Sequence, residues 1–200
     1  MTVEKNMAKD YWKFVWNNFK SGDRASFEII YNEFAGVLFA YGSRITSDKD
    51  LLQDCIQDVF VDIYQYGSEL RNPESLEFYL FKTLKRNIIR RLKKDRLTQL
   101  ADENSAPFEL SFNLEEEMIR EEKESKRLYR LQELLHSLSS TQRELLFLKF
   151  NSGMSYPEIG KLLDIKPDTV KKQVYRLLNY LREQAGNDLL ELFFICRLRK

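Results

Sequence analysis

"SYPEIGKLLDIKPDTVKKQVYR", residues 155–176, decides the fold of the C-terminal half of this chain. Ser155 followed by Glu158 forms a capping box, the pattern in which side chain and backbone satisfy each other at the start of a helix. Ile159, Leu162 and Leu163 then fall inward on a short helix. "DIK" reads as a turn, and Pro167 stands at the first position of a second helix, where its missing N–H costs nothing. At 100° per residue, Val170, Val174, Leu177 and Leu181 share one face of that helix. Thr169, Lys171, Lys172, Gln173 and Arg176 occupy the others. Two short helices joined this way are a helix-turn-helix, whose second helix enters the major groove with its N-terminal residues near base edges. Those five polar residues are therefore the candidate DNA readers. Arginine, lysine and glutamine can contact bases, and each can instead grip phosphate. A three-helix fragment with no DNA role is the rival reading.

Just upstream, "STQRELLFLKF" (140–150) supplies a preceding helix, with Thr141 and Glu144 as its expected capping box. Gly153 in "NSGM" can end it in the left-handed conformation. Gly160 is expected to let a neighbouring helix approach closely.

Beyond this module the apolar spacing stays helical almost everywhere, and with only 7 glycines and 4 prolines in 200 residues the expectation is all-α. Helical patterns run through about 9–20, 24–42, 48–66, 74–96, 115–137, 141–150, 155–163 and 167–184. The pattern breaks at "TQLADENSAPFELSFN" (98–113), with Pro107 among small and polar residues. The expected organisation is a domain over 1–97, a linker with an acidic segment over 98–127, the helix-turn-helix domain over 128–184, and an apolar tail over 185–200. An ordered surface loop within one domain is the alternative to a flexible linker.

In the first half, "LLQDCIQDVFVDIYQY" (51–66) divides into two faces. Leu52, Cys55, Ile56, Val59, Phe60 and Ile63 form the apolar one. Asp54, Gln57, Asp58, Asp62 and Gln65 form the other. The aspartates recur at i, i+4 and i+8, a spacing that costs an isolated helix about 0.2–0.5 kcal/mol per like-charged pair. A basic partner would reverse that cost, and an ordinary solvated face would tolerate it. Metal binding is disfavoured, because three carboxylates on a straight helix cannot surround an ion.

"SLEFYLFKTLKRNIIRRLKK" (75–94) buries Phe78, Phe81, Leu84, Ile88 and Leu92 on one arc. Lys82, Arg86, Arg90, Lys93 and Lys94 cluster on the adjacent arc, a stripe suited to a nucleic-acid backbone. Asn87 lies at its edge, and an amide can read a base edge or an extruded base. A membrane-surface helix or a solvated basic face are the other readings of this stripe.

Composition narrows the rest. The chain is 43% hydrophobic and 13% aromatic, which is globular. No run approaches the roughly 18 apolar residues of a membrane span, and "MTVEKNMAKD" lacks the apolar stretch of a signal peptide. Cys55 and Cys196 stand far apart without metal-ligand spacing and read as free thiols of a reducing cytoplasm. The single histidine, His136, and the absence of a phosphate-binding glycine pattern disfavour catalysis, and no cofactor or metal is expected. The formal net charge is only +1, yet residues 82–96 are strongly basic and 115–124 mainly acidic. Such a chain should bind bulk DNA poorly on its own, since non-specific affinity grows with the number of phosphates neutralised.

Together the two halves resemble the bacterial RNA polymerase sigma factors of the extracytoplasmic-function group. "FEIIYNEF", "DCIQDVFVDIY" and "FYLFKTLKRNIIRRLKK" look like sigma region two. "STQRELLFLKFNSGMSYPEIGKLLDIKPDTVKKQVYRLLNYLR" looks like region four. The resemblance implies a promoter-recognition subunit that is not an enzyme. Asp54, Gln57 and Asp58 would meet the coiled coil of the largest polymerase subunit. Lys82, Arg86, Asn87, Arg90, Lys93 and Lys94 would hold the melted minus-ten element, with Asn87 helping to capture an extruded base. Thr169, Lys171, Lys172, Gln173 and Arg176 would read the minus-thirty-five element, and the polymerase flap would carry that domain. The acidic linker is similar to the segment that threads through the polymerase near its active site. Family members are often held by an anti-sigma protein, so such a partner is implied as well.

The sequence departs from the family pattern in three places. Leu84-Lys85-Arg86 replaces the usual small-residue approach to the asparagine. Lys166 stands where a serine is common, and Gly160 where alanine is common. The tail residues Leu189, Leu190, Leu192, Phe193, Phe194 and Ile195 are too few to cross a membrane. They are expected to pack on the second domain, with a partner site as the alternative. Two other functional classes remain open at this point. One is a helix-turn-helix regulator that acts without polymerase. The other is an all-α adaptor or sequestering protein with no DNA role.

Overall fold

The computed structural model describes residues 2–69, 76–95, 107–110 and 122–185. Among them lie eight α-helices and no strand. The helices are α1 (Thr2–Lys20), α2 (Arg24–Gly42), α3 (Lys49–Tyr66), α4 (Leu76–Asp95), α5 (Glu122–Ser137), α6 (Ser140–Phe150), α7 (Tyr156–Leu163) and α8 (Pro167–Ala185). The chain forms two compact units, Met1–Glu103 and Asn104–Lys200. The segment 115–121, the tail from 186 onward and Cys196 lie outside the described residues.

In the first unit, aspartates set where helices begin. Asp23 caps α2, accepting from the Ala25 and Ser26 amides, and the Ser26 hydroxyl donates to it at 2.5 Å. The Ser26 hydroxyl and then its amide hold this carboxyl below the usual carboxylate range. Asp48 caps α3 by accepting the Leu51 amide at 3.0 Å. Helices α2, α3 and α4 pack against one another, and α1 lies on α2. Leu38, Tyr41, Leu52, Leu80, Phe81 and Ile88 fill the space between them, each at most 1% exposed. Tyr41 and Phe81 meet with ring centroids 4.8 Å apart.

In the second unit, α8 packs on α5, α6 and α7 through Val170, Val174, Leu177 and Leu181, as its periodicity requires. Ser155 and Glu158 form the expected capping box at α7. The expected box of α6 is displaced by two residues. Ser139 and Gln142 make it, not Thr141 and Glu144, and Glu144 is buried instead. The stretch "SSTQRE" contains both spacings. The helix starts early enough that Ser139 sits at the cap, while the Ser140 hydroxyl accepts the Phe108 amide at 2.6 Å.

Gly160 lets the next helix approach as expected, and the turn with it. A Cβ there would lie 2.5 Å from the Ile165 carbonyl oxygen and 3.4 Å from the backbone nitrogen of Pro167, so both the turn and the first residue of α8 come close. Asp164 ends α7 in the left-handed conformation at φ 56°, sending the chain back across Gly160 toward Pro167. The interhelical turn is thus shaped by backbone approach as much as by side chains.

Pro107–Leu110 falls inside the stretch expected to be linker, yet it is packed. Phe108 is 1% exposed and meets Phe147 edge-on at 5.6 Å, and Leu110 is also buried. Arg143 fastens the segment. Its Nε donates to the Phe108 carbonyl at 2.8 Å and its guanidinium lies 3.5 Å from the Glu109 carboxylate. An aromatic side chain with a satisfied backbone has little reason to stay in water.

Candidate functional site

Three surfaces carry the residues singled out from the sequence. On α3, the apolar face is buried as expected, with Leu52, Cys55, Ile56, Val59, Phe60 and Ile63 inward. The opposite face separates into two environments. Gln57 turns toward α2 and lines an open apolar groove with Phe27, Tyr31, Phe39, Phe60 and Tyr64, of roughly 810 Å³. Asp54 and Asp58 instead turn toward α4. There Arg91 bridges them, with Nη1 donating to Asp54 Oδ2 at 3.0 Å and Nη2 to Asp58 Oδ2 at 2.5 Å. The acidic stripe therefore has a basic partner within its own unit, one that sequence reasoning missed. Arg91 stands 37 and 33 residues away from the two aspartates, beyond the reach of any local pattern.

Cys55 lies on the same helix, fully buried, and is a free thiol. Burial pushes its pKa up to about 11 from 9.0; the nearby Arg91 charge opposes that rise, while Asp58 and Asp54 reinforce it. A raised thiol pKa means that the folded state keeps the proton longer than the unfolded one. Its contribution to stability is present below pH 9 and is lost as the pH climbs toward about 11. At pH 8 a thiol reagent is expected to label Cys55 in urea at least tenfold faster than in the native protein. Mass spectrometry of the labelled peptide reads this directly, and equal rates would mean that the thiol is accessible.

On α4, Lys82, Arg86, Arg90, Lys93 and Lys94 are all exposed and form one cationic row. The Lys82 ammonium rests over the Phe78 ring at 5.5 Å. Asn87 does not join them. It is 6% exposed, because one residue past Arg86 the helix has turned 100° toward its packed side. The geometry therefore gathers five cations for a phosphate backbone and leaves the amide beneath them.

On α8, Thr169, Lys171, Lys172 and Arg176 are exposed and Gln173 is half-buried. Lys172 lies opposite the apolar stripe, at the centre of the outward face. Lys171 and Lys172 line a shallow depression with Tyr156 and Tyr175, while Gln173 faces the other flank with Thr141, Gln142 and Tyr180. Tyr175 was not among the sequence candidates, although it is 68% exposed in the middle of the reading face. Its phase between Lys171 and Arg176 was the available signal. Among the described residues no group of acidic, histidine or cysteine side chains could hold a metal ion, and no helix is long and apolar enough to cross a membrane.

Comparison with known proteins gives two family matches. The family described as Sigma-70 region 2 matches residues 30–98, and Sigma-70, region 4 matches residues 128–181. The RNA polymerase sigma factor SigV of Bacillus subtilis (strain 168) is 24% identical over 156 residues, spanning 78% of this chain and 86% of that protein. Two of the solved structures that share the fold illustrate it. The sigma factor RpoE of Bartonella quintana, solved with the anti-sigma factor NepR, has a TM-score of 0.55 at 21% identity, covering 81% of this chain and 98% of that one. CnrH, solved with the cytosolic domain of CnrY, has a TM-score of 0.51 at 20% identity, covering 85% and 94%.

Proposed function

The chain belongs to the sigma-70 family of RNA polymerase sigma factors, in its extracytoplasmic-function group, and from that premise we propose how its surfaces divide the work of promoter recognition. As a sigma factor it directs core polymerase to promoters and helps to open the DNA. The observation that supports the division is the placement of opposite charges on adjacent helices of one unit, carboxylates on α3 and a cation row on α4.

Asp54 and Asp58, with Gln57 in the neighbouring groove, form the face for the coiled coil of the largest polymerase subunit. Lys82, Arg86, Arg90, Lys93 and Lys94 grip the backbone of the melted minus-ten strand. Asn87 would reach an extruded base only after its side chain leaves the packed flank of α4. Thr169, Lys171, Lys172, Gln173 and Arg176 read the minus-thirty-five element, with the unit seated on the polymerase flap. An acidic linker over 98–127 passes through the polymerase, although its residues 107–110 are fastened to the second unit. The protein works in the cytoplasm, carries out no catalysis of its own, and is a candidate for control by an anti-sigma partner of the kind RpoE of Bartonella quintana has in NepR. A helix-turn-helix regulator acting alone would have no use for a region-2 domain.

The deciding experiment is run-off transcription by core polymerase with and without this protein, on a library of promoters. Start sites should appear only when it is present, and an unchanged pattern of starts would overturn the reading. Lys172→Ala with Gln173→Ala is expected to reduce initiation roughly tenfold where the upstream element matters, since a good base contact discriminates by about 1–3 kcal/mol. Promoters that do not depend on that element should be unaffected. Equal loss on both kinds would assign these residues to phosphate contacts.

A further inference from the structure

Asp54 and Asp58 offer a partner less than their two charges suggest. One guanidinium already serves both, each through a separate nitrogen. Two carboxylates and one guanidinium sum to a single negative charge. Arg91 takes no part in the cation row of α4. It leaves the helix on the flank that faces α3, roughly 140° from the middle of that row at 100° per residue. Its counter-ions also remain open to solvent. The side chains of Arg91, Asp54 and Asp58 are 31%, 66% and 47% exposed, so an incoming cation can reach the carboxylates without unpacking the core.

We propose that Arg91 is a tethered competitor for the polymerase, an internal counter-ion that core polymerase must displace from Asp54 and Asp58 or share them with. This rests on the reading of those aspartates as the polymerase contact. A tethered ligand acts at a high effective concentration, so even a weak internal pair lowers the apparent affinity for an outside cation. The exposed pairs contribute little to stability, which separates a role in competition from a role in holding the fold. Arg91 thereby sets the strength of the polymerase contact, and it selects for partners whose cations can meet both carboxylates at once.

The test measures the affinity of the full-length protein for core RNA polymerase across a salt series, for the native chain, Arg91→Gln, Asp54→Asn with Asp58→Asn, and the triple variant. Arg91→Gln is expected to bind about three- to tenfold tighter at low salt, with the gain shrinking as salt screens the exposed charges. In the Asp54→Asn, Asp58→Asn background the same change should have no effect. A structural role through the same pairs would instead make Arg91→Gln bind more weakly. Equal or weaker binding by Arg91→Gln overturns the proposal, as does a gain that persists without the carboxylates. If Arg91→Gln lowers the unfolding midpoint, Arg91→Lys replaces it. Lysine keeps the charge but loses the two-pronged fork, and should give a smaller gain of the same sign; no gain overturns the proposal. Native affinity in Asp54→Asn, Asp58→Asn would remove the interface reading and the competition with it. Weakened affinity there, without a gain in Arg91→Gln, removes the competition alone.

Discussion

Asp54→Arg combined with Asp58→Arg is expected to weaken binding to core polymerase by about a hundredfold or more, as measured by competition with the native chain. The magnitude follows from sign. Removing an exposed pair costs about 0.2–1 kcal/mol, whereas placing like charges against each other across an interface costs several. Neutral Asp54→Asn with Asp58→Asn should therefore lose only about fivefold. This gradation separates electrostatic repulsion from a damaged helix, which would harm both variants alike. Reversal also places two new cations beside Arg91, so the first unit should lose some stability. Both tryptophans of the chain, Trp12 and Trp16, lie on α1 in that unit, and their fluorescence reports whether it stays folded. A folded double-arginine variant that still binds core at native strength would end the interface assignment.

The residues that give this prediction its form were unequally legible. The amphipathic division of α3 follows from periodicity, and the buried side chains are those the sequence names, because burial on a single helix is a local property. The helix-turn-helix was legible for the same reason, with Ser155, Glu158 and Pro167 marking its boundaries. Positions set by contacts distant in sequence were not. Arg91 reads as one more cation in a basic run until α3 and α4 pack, and only then does its phase turn it toward Asp54 and Asp58. Asn87 shows the converse. Its phase at the edge of the basic arc suggested a shared surface, but that edge lies against the packed flank, and the amide is buried while Arg86 is not.

The charge pattern acquires a purpose from this placement. A chain with net charge +1 carries exposed cation clusters on α4 and α8 and an acidic face on α3. Neither cation cluster neutralises enough phosphates for strong DNA binding alone, since affinity rises steeply with the number of contacts. On the proposed division of surfaces, polymerase gripping the acidic face would supply what is missing. It would hold both clusters near one promoter, where the second contact is made at a high effective concentration.

The other large effect concerns stability. Phe108→Ala is expected to destabilise the second unit by about 3–5 kcal/mol, the usual cost of emptying a buried phenylalanine site. The side chain is 1% exposed and stacks edge-on against Phe147, itself buried beside Leu145, Leu146 and Leu148 of α6. Loss of the ring also loosens the backbone bonds that fasten the segment, from the Phe108 amide to Ser140 and from Arg143 to the Phe108 carbonyl. Sequence alone assigned this residue to a linker, where the same substitution would cost almost nothing, so the two descriptions differ by the whole effect. Hydrogen exchange of the full-length chain distinguishes them. Amide protection in α6 and α8 should fall by two orders of magnitude or more, as about 1.4 kcal/mol corresponds to each tenfold change. The tryptophan transition of the first unit should stay in place. Unaltered protection at Leu145–Leu148 would mean that the segment is not part of the second unit's core. Because α6 of the DNA-reading unit is what Phe108 braces, the variant should also weaken initiation at promoters that need the upstream element before it affects any others.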